Sequence, residues 1–196
     1  VIVGAIPTQN TNWLNVEKAL DNLKAHCRLT PKTLYQLSHQ QLSSLIKPAG
    51  YFNIKAQRLH NFLTFLFSSY HGRLDLLSQL GVHILRTELL SVKGIGPDTA
   101  DSIILYAFNK PIFVVDAYTK RIFSRHGIIQ AEDNYHQIQE KFMMSLKSDV
   151  TMFNEYHALI VKCAKEYCRT QASCTSCPLE FLNKDKQYKK FAYTVS

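Results

Sequence analysis

Between Leu89 and Ala107 the chain reads Leu-Leu-Ser-Val-Lys-Gly-Ile-Gly-Pro-Asp-Thr-Ala-Asp-Ser-Ile-Ile-Leu-Tyr-Ala, and no other stretch limits the fold as tightly. A helix has to stop near Val92, because Gly94-Ile95-Gly96 favours a tight turn and Pro97 suits the first turn of a new helix. Ala100, Ile103, Ile104 and Ala107 then recur at helical spacing and give the second helix an apolar inner face. Ile95 is placed to plug the gap between the two helices. Glycines let a backbone come close to a ligand, and bare amides at a helix N-terminus attract an anion. The segment from about 85 to 107 is therefore expected to bind phosphate through Lys93, Gly94, Ile95, Gly96 and Thr99. Such contacts position a nucleic acid without reading its sequence. The plainer alternative is a helix-turn-helix corner that binds nothing.

The remaining pattern is helical nearly throughout. Val16, Leu20, Leu23 and Cys27 fall on one face of a helix. Thr30-Pro31 reads as an N-cap followed by proline at the first helical position, and Ser38 with Gln41 as a capping box. Pro48-Ala49-Gly50 breaks the next helix. Residues 54–70 and 73–80 suggest further helices separated by His71-Gly72, and Phe153, Tyr156, His157, Ile160, Val161 and Ala164 keep helical spacing. Pro111-Ile-Phe-Val-Val115 alone could pass for a strand. With no partner strand elsewhere it reads as a buried connector that delivers Asp116 to a chosen place. The fold class is all-α.

Lysine and arginine number 23 against 15 aspartates and glutamates, a net charge of +8, which favours a polyanionic partner. Apolar runs such as Ile103–Leu105 are far too short to cross a bilayer, and no signal-peptide pattern is visible. A cytoplasmic, nucleoid-associated monomer with no membrane contact is expected. Val1 stands inside an apolar helical pattern, so a preceding N-terminal segment is expected as well. Cys27 stands apart and reads as a buried small hydrophobe. Cys163, Cys168, Cys174 and Cys177 crowd together, which in an intracellular enzyme points to a metal rather than to disulfides.

Taken together, the hairpin, Val114-Val115-Asp116 about twenty residues beyond it, and Thr8-Gln9-Asn10-Thr11 resemble the endonuclease III-like, helix-hairpin-helix (HhH-GPD) DNA glycosylases. The resemblance runs from Gly4 to the terminal cysteines. It implies two helical lobes with a duplex-DNA cleft between them, residues 1–112 carrying the hairpin and 113–196 forming most of the second lobe. It also implies that Asp116 is the catalytic carboxylate. Breaking an N-glycosidic bond builds positive charge on the sugar, and a fixed carboxylate stabilises that charge and orients or deprotonates a water. Without the resemblance, Asp116 before Ala117-Tyr118-Thr119 reads as a helix N-cap, and both roles are compatible.

Strand-cutting members carry a hairpin lysine two positions after the turn as an amine nucleophile. Asp98 occupies that position here, and a carboxylate cannot form an imine. The branch that this chain is most similar to is the 3-methyladenine DNA glycosylase III type, with Thr8-Gln9-Asn10-Thr11, Trp13 and Asp98 at its motif positions. That likeness implies a monofunctional glycosylase for alkylated purines. A cationic purine would stack on Trp13 beside Asp98, Gln9 would fill the space left by the flipped base, and Tyr51 would wedge against the opposite strand. The alternatives are a packing role for Trp13, a Tyr51 that packs under Phe52, endonuclease III-like action on oxidised pyrimidines, and a non-catalytic DNA-binding module. The family often holds a [4Fe–4S] cluster through Cys-x6-Cys-x2-Cys-x5-Cys. Cys168-x5-Cys174-x2-Cys177 matches the first three ligands with one residue fewer, while Asn183 stands at the fourth. Three readings stay open: Cys163 recruited as fourth thiolate, an unusual ligand, or a vestigial site without metal.

Overall fold

The computed structural model describes residues 1–8 and 11–184, with side chains described to residue 182. Among them every regular element is helical, and the chain divides into two compact units, Val1–Lys110 and Pro111–Ser196.

The first unit contains α1 (Ile2–Ala5), α2 (Trp13–His26), α3 (Pro31–Gln36), α4 (His39–Leu45), a 3-10 turn at Lys47–Ala49, α5 (Phe52–Tyr70), α6 (Leu74–Ser78), α7 (Val82–Ser91) and α8 (Pro97–Phe108). Local chemistry sets the boundaries. The Thr30 and Ser38 hydroxyls accept from the amides of Thr33 and Gln41, while those residues' side chains accept from the cap amides, so both helix starts are capping boxes. The core gathers Val16, Ala19 and Leu23 of α2, Leu42 of α4, Leu59, Leu63 and Leu66 of α5, Leu85 and Leu89 of α7, and Ile103, Ile104 and Leu105 of α8. Cys27 is half-buried just beyond α2 rather than enclosed, because the helix ends at His26 and Cys27 is already in extended backbone (φ −155°). The expected helix over 73–80 spans only Leu74–Ser78, closed early by turns toward Gly81.

The second unit contains α9 (Ala117–Arg125), α10 (Tyr135–Ser145), α11 (Val150–Glu166) and α12 (Glu180–Lys184). Its core is aromatic. The Phe113 and Phe142 rings stack with centroids 4.4 Å apart, and Phe153 meets Phe113 edge-on at 5.7 Å. Ile112, Phe113, Val114 and Val115 are buried in an extended segment that is not a strand. Side chains replace the ladder: Gln139 Nε2 donates to the Phe113 carbonyl (2.7 Å), and the Val115 amide donates to the Tyr135 hydroxyl (3.3 Å). α10 therefore holds this connector by its backbone and fixes where Asp116 emerges.

Candidate functional site

In the first unit, the hairpin is built as the sequence requires. α7 stops at Ser91, the Ile95 amide closes the turn onto the Val92 carbonyl (3.0 Å), and Pro97 starts α8. Ile95 is 5% exposed, between the helices. Gly94 has φ +97°, and a Cβ there would lie 2.5 Å from Arg58 Cγ, so both backbone and space require glycine. Gly96 has φ −90° and is the N-cap of α8, a conformation open to other residues. Asn61 Nδ2 donates to the Lys93 carbonyl (2.9 Å) and ties the turn to α5, while the Lys93 side chain is exposed.

Fewer amides of this turn are bare than the sequence suggests. Ile95 spends its N–H on Val92, and the Thr99 N–H donates to Asp98 Oδ1 (2.8 Å). Asp98 is exposed in the first turn of α8, where a carboxylate is favoured by the helix dipole, and Thr99 is buried. A contact with Arg86 that sequence reading missed locks the two helices together. Arg86 Nε and Nη2 donate to Asp101 Oδ1 and Oδ2 at 2.7 and 3.2 Å, with the Asp101 side chain fully buried.

Two further elements of this unit carry predicted residues. Trp13 opens α2 with 45% of its surface exposed, its Nε1 donating to Glu17 Oε1 (2.7 Å) and one ring edge near Gly4. Half-exposed, it is not a core residue. Gln9 lies outside the described residues. Tyr51 is 74% exposed and left-handed (φ 45°), directly after Gly50 at φ 66°. It therefore does not pack under Phe52. A bulky residue in this conformation is strained, and strain of this kind collects at functional sites. The turn that presents it is braced from inside: the Thr11 hydroxyl donates to the Ala49 carbonyl (2.5 Å), and the buried Lys55 ammonium donates to that carbonyl (2.7 Å) and to Thr11 Oγ1. Burial, and then the charge of Arg58, push the Lys55 pKa down.

In the second unit, Asp116 is the N-cap of α9, in a capping box with Thr119. Its Oδ1 accepts from the Thr119 amide (2.7 Å) and hydroxyl (2.9 Å). Its Oδ2 lies 3.5 Å from His157 Nε2, the two side chains being 23% and 13% exposed. Burial works to raise the Asp116 pKa. The nearby His157 ring, with the two Thr119 donors, outweighs it and holds the carboxyl below the usual range. The N-cap role and a fixed, ionised carboxylate thus coexist. His157 was legible only as a position on a helical stripe.

Cys163, Cys168, Cys174 and Cys177 line one cavity of about 200 Å³ with Arg125 and His126. Cys163 and Cys177 sulfurs are 3.9 Å apart, Arg125 Nη1 donates to Cys168 Sγ (3.2 Å), and the Leu179 amide donates to Cys177 Sγ (3.4 Å). Burial and the neighbouring Cys177 push the Cys163 thiol up to about 12. Arg121 and Arg125 of α9 hold this segment by donating to the carbonyls of Ala164, Cys168, Arg169 and Thr170. Four thiols in one cavity suit an iron–sulfur cluster in number and kind. Among the described residues, however, no three histidine, cysteine or acidic side chains converge on a point that one metal ion could occupy.

The family described as HhH-GPD superfamily base excision DNA repair protein matches residues 3–148. The chain belongs to this family. A Methanocaldococcus jannaschii protein, named only provisionally as a DNA repair glycosylase, is 46% identical over 92% of this chain and 82% of its own length. Endonuclease III of Thermotoga maritima is 28% identical over 92% of this chain and 79% of its own. Among solved structures, an endonuclease III–DNA complex superposes with TM-score 0.78 at 22% identity, covering 97% of this chain and 83% of that one, and establishes the fold as endonuclease III-like. The 3-methyladenine DNA glycosylase of H. pylori bound to 1,N6-ethenoadenine gives 0.72 at 26% identity, covering 84% of this chain and 83% of that one. This HhH-GPD chain is thus a member of the base-excision DNA glycosylase family, and none of its described helices is long and apolar enough to cross a membrane.

Proposed function

We propose that the protein binds duplex DNA and hydrolyses the N-glycosidic bond of a damaged base, an alkylated purine, to leave an abasic site without cutting the strand. The observation that carries this reading is Asp116. It emerges from a buried connector, is held by Thr119 through one oxygen and is ionised, as stabilisation of an oxocarbenium-like sugar requires. The hairpin around Lys93–Thr99 grips the phosphate chain through its exposed lysine and the N-terminal end of α8. Tyr51 wedges the duplex, Gln9 fills the gap, and the flipped purine stacks on Trp13 beside Asp98. A fold shared with the H. pylori 3-methyladenine glycosylase is consistent with a purine substrate. Asp98 in place of an amine supports hydrolysis without a Schiff base.

The four cysteines lining one cavity support the reading in which Cys163 joins Cys168, Cys174 and Cys177 around a [4Fe–4S] cluster. When bound, such a cluster would supply structural cross-linking of the segment that α9 already grips through Arg121 and Arg125. A panel of duplexes, each with one defined lesion, tests the substrate assignment. Release of 3-methyladenine with thymine glycol left intact is expected; release of thymine glycol alone transfers the protein to the oxidised-pyrimidine branch, and tight binding with no release makes it a binding module.

A further inference from the structure

We infer that His157 is the positioning residue for Asp116, its ring holding Oδ2 toward the sugar whose bond is cut. The inference rests on the reading of Asp116 as the reacting carboxylate.

On α11, Phe153, Ile160 and Ala164 form the buried stripe, and His157 occupies the same stripe, where the pattern calls for an apolar residue. A histidine there leaves a polar ring at an inner position, and its Nε2 stands 3.5 Å from Asp116 Oδ2. Asp116 is secured at Oδ1 by Thr119, so Oδ2 is the oxygen left to face a substrate or a water. A single bonded oxygen still lets the carboxylate plane rotate; a ring nitrogen 3.5 Å from the second oxygen limits that rotation and needs only a small approach to bond it.

The other charged and titratable groups on the surrounding elements are turned to other tasks. Lys120 donates to the Asp133 carbonyl, Arg121 to Ala164 and Cys168, and Tyr118 lies under the Arg121 guanidinium. Tyr135 holds Val115, Tyr156 packs among Phe113, Phe123 and Phe142, and Glu155 is exposed. His157 is also the only ionisable side chain among the causes that hold the Asp116 carboxyl down. Its removal therefore raises the Asp116 pKa, and the acid limb of the rate profile moves to higher pH.

The experiment compares unmutated protein with His157→Phe, His157→Gln and Asp116→Asn, using duplex DNA methylated with dimethyl sulfate and single-turnover base release from pH 4 to 9. His157→Phe is expected to release bases ~10–100-fold more slowly, the usual cost of a misplaced reacting group, with its acid limb displaced upward. His157→Gln, which keeps a donor, is expected to recover most of the rate, and duplex affinity is expected to be equal in all four. A His157→Phe protein with the unmutated rate and acid limb, beside an inactive Asp116→Asn, overturns the role of His157 alone. A fully active Asp116→Asn overturns the reading beneath it. Should His157→Phe not fold, His157→Gln decides, since a rate as low as that of Asp116→Asn with an unmoved acid limb contradicts positioning.

Discussion

The Arg86–Asp101 pair offers the sharpest test of how the hairpin is held. At 2.7 Å in a partly wet protein environment, its gross attraction is ~6 kcal/mol. Desolvation of the fully buried Asp101 cancels much of this, so the pair adds little to stability compared with a well-packed apolar pair. Breaking it is different, because one partner is then left buried without its counter-charge, which costs about 3–5 kcal/mol. Arg86→Met strands the fully buried Asp101 carboxylate and costs more than Asp101→Leu, which leaves the 16% exposed, water-reached Arg86 and sits near the lower figure, ~3 kcal/mol. For a chain of 196 residues this corresponds to a fall in Tm of about 6–12 °C. The double variant Arg86→Met/Asp101→Leu should recover most of the loss. Calorimetry or urea unfolding of the four proteins reads the cycle. Single variants within about 0.5 kcal/mol of the unmutated protein, or losses that simply add, would refute the reasoning.

Gly94→Ala should destabilise by at least ~1–2 kcal/mol through its left-handed backbone, and lose duplex affinity further as Arg58 is displaced; equal melting and binding would contradict both. Tyr51→Gly should leave stability unchanged or slightly raised, since it relieves a left-handed tyrosine, while it weakens the DNA kink read by fluorescence transfer between duplex ends. Borohydride added during turnover should trap no covalent protein–DNA adduct, because Asp98 stands in for the amine; an adduct would show that another lysine serves as nucleophile.

What the sequence made legible is local chemistry. Thr30-Pro31 and Ser38–Gln41 announce helix starts because a cap and its partner lie within one turn, and the Gly-Ile-Gly-Pro run announces the hairpin for the same reason. The burial of 111–115 was readable from its apolar content, but its backbone partners, Gln139 and Tyr135, come from a helix about twenty residues on. Arg86–Asp101 and His157–Asp116 were likewise invisible, since each joins residues on separate elements that meet only on docking. His157 did leave one trace, a polar residue on an apolar stripe. The left-handed backbone of Tyr51 left none, because such backbone is ordinarily signalled by glycine or asparagine.

The role of Asp116 is tested most directly by base release from a duplex with one 3-methyladenine, measured for Asp116→Asn beside its affinity for that duplex. Asparagine keeps an acceptor for the Thr119 amide but carries no charge. The account therefore predicts a folded protein that binds as before and releases base at least ~100-fold more slowly. Undiminished release by that protein would contradict it.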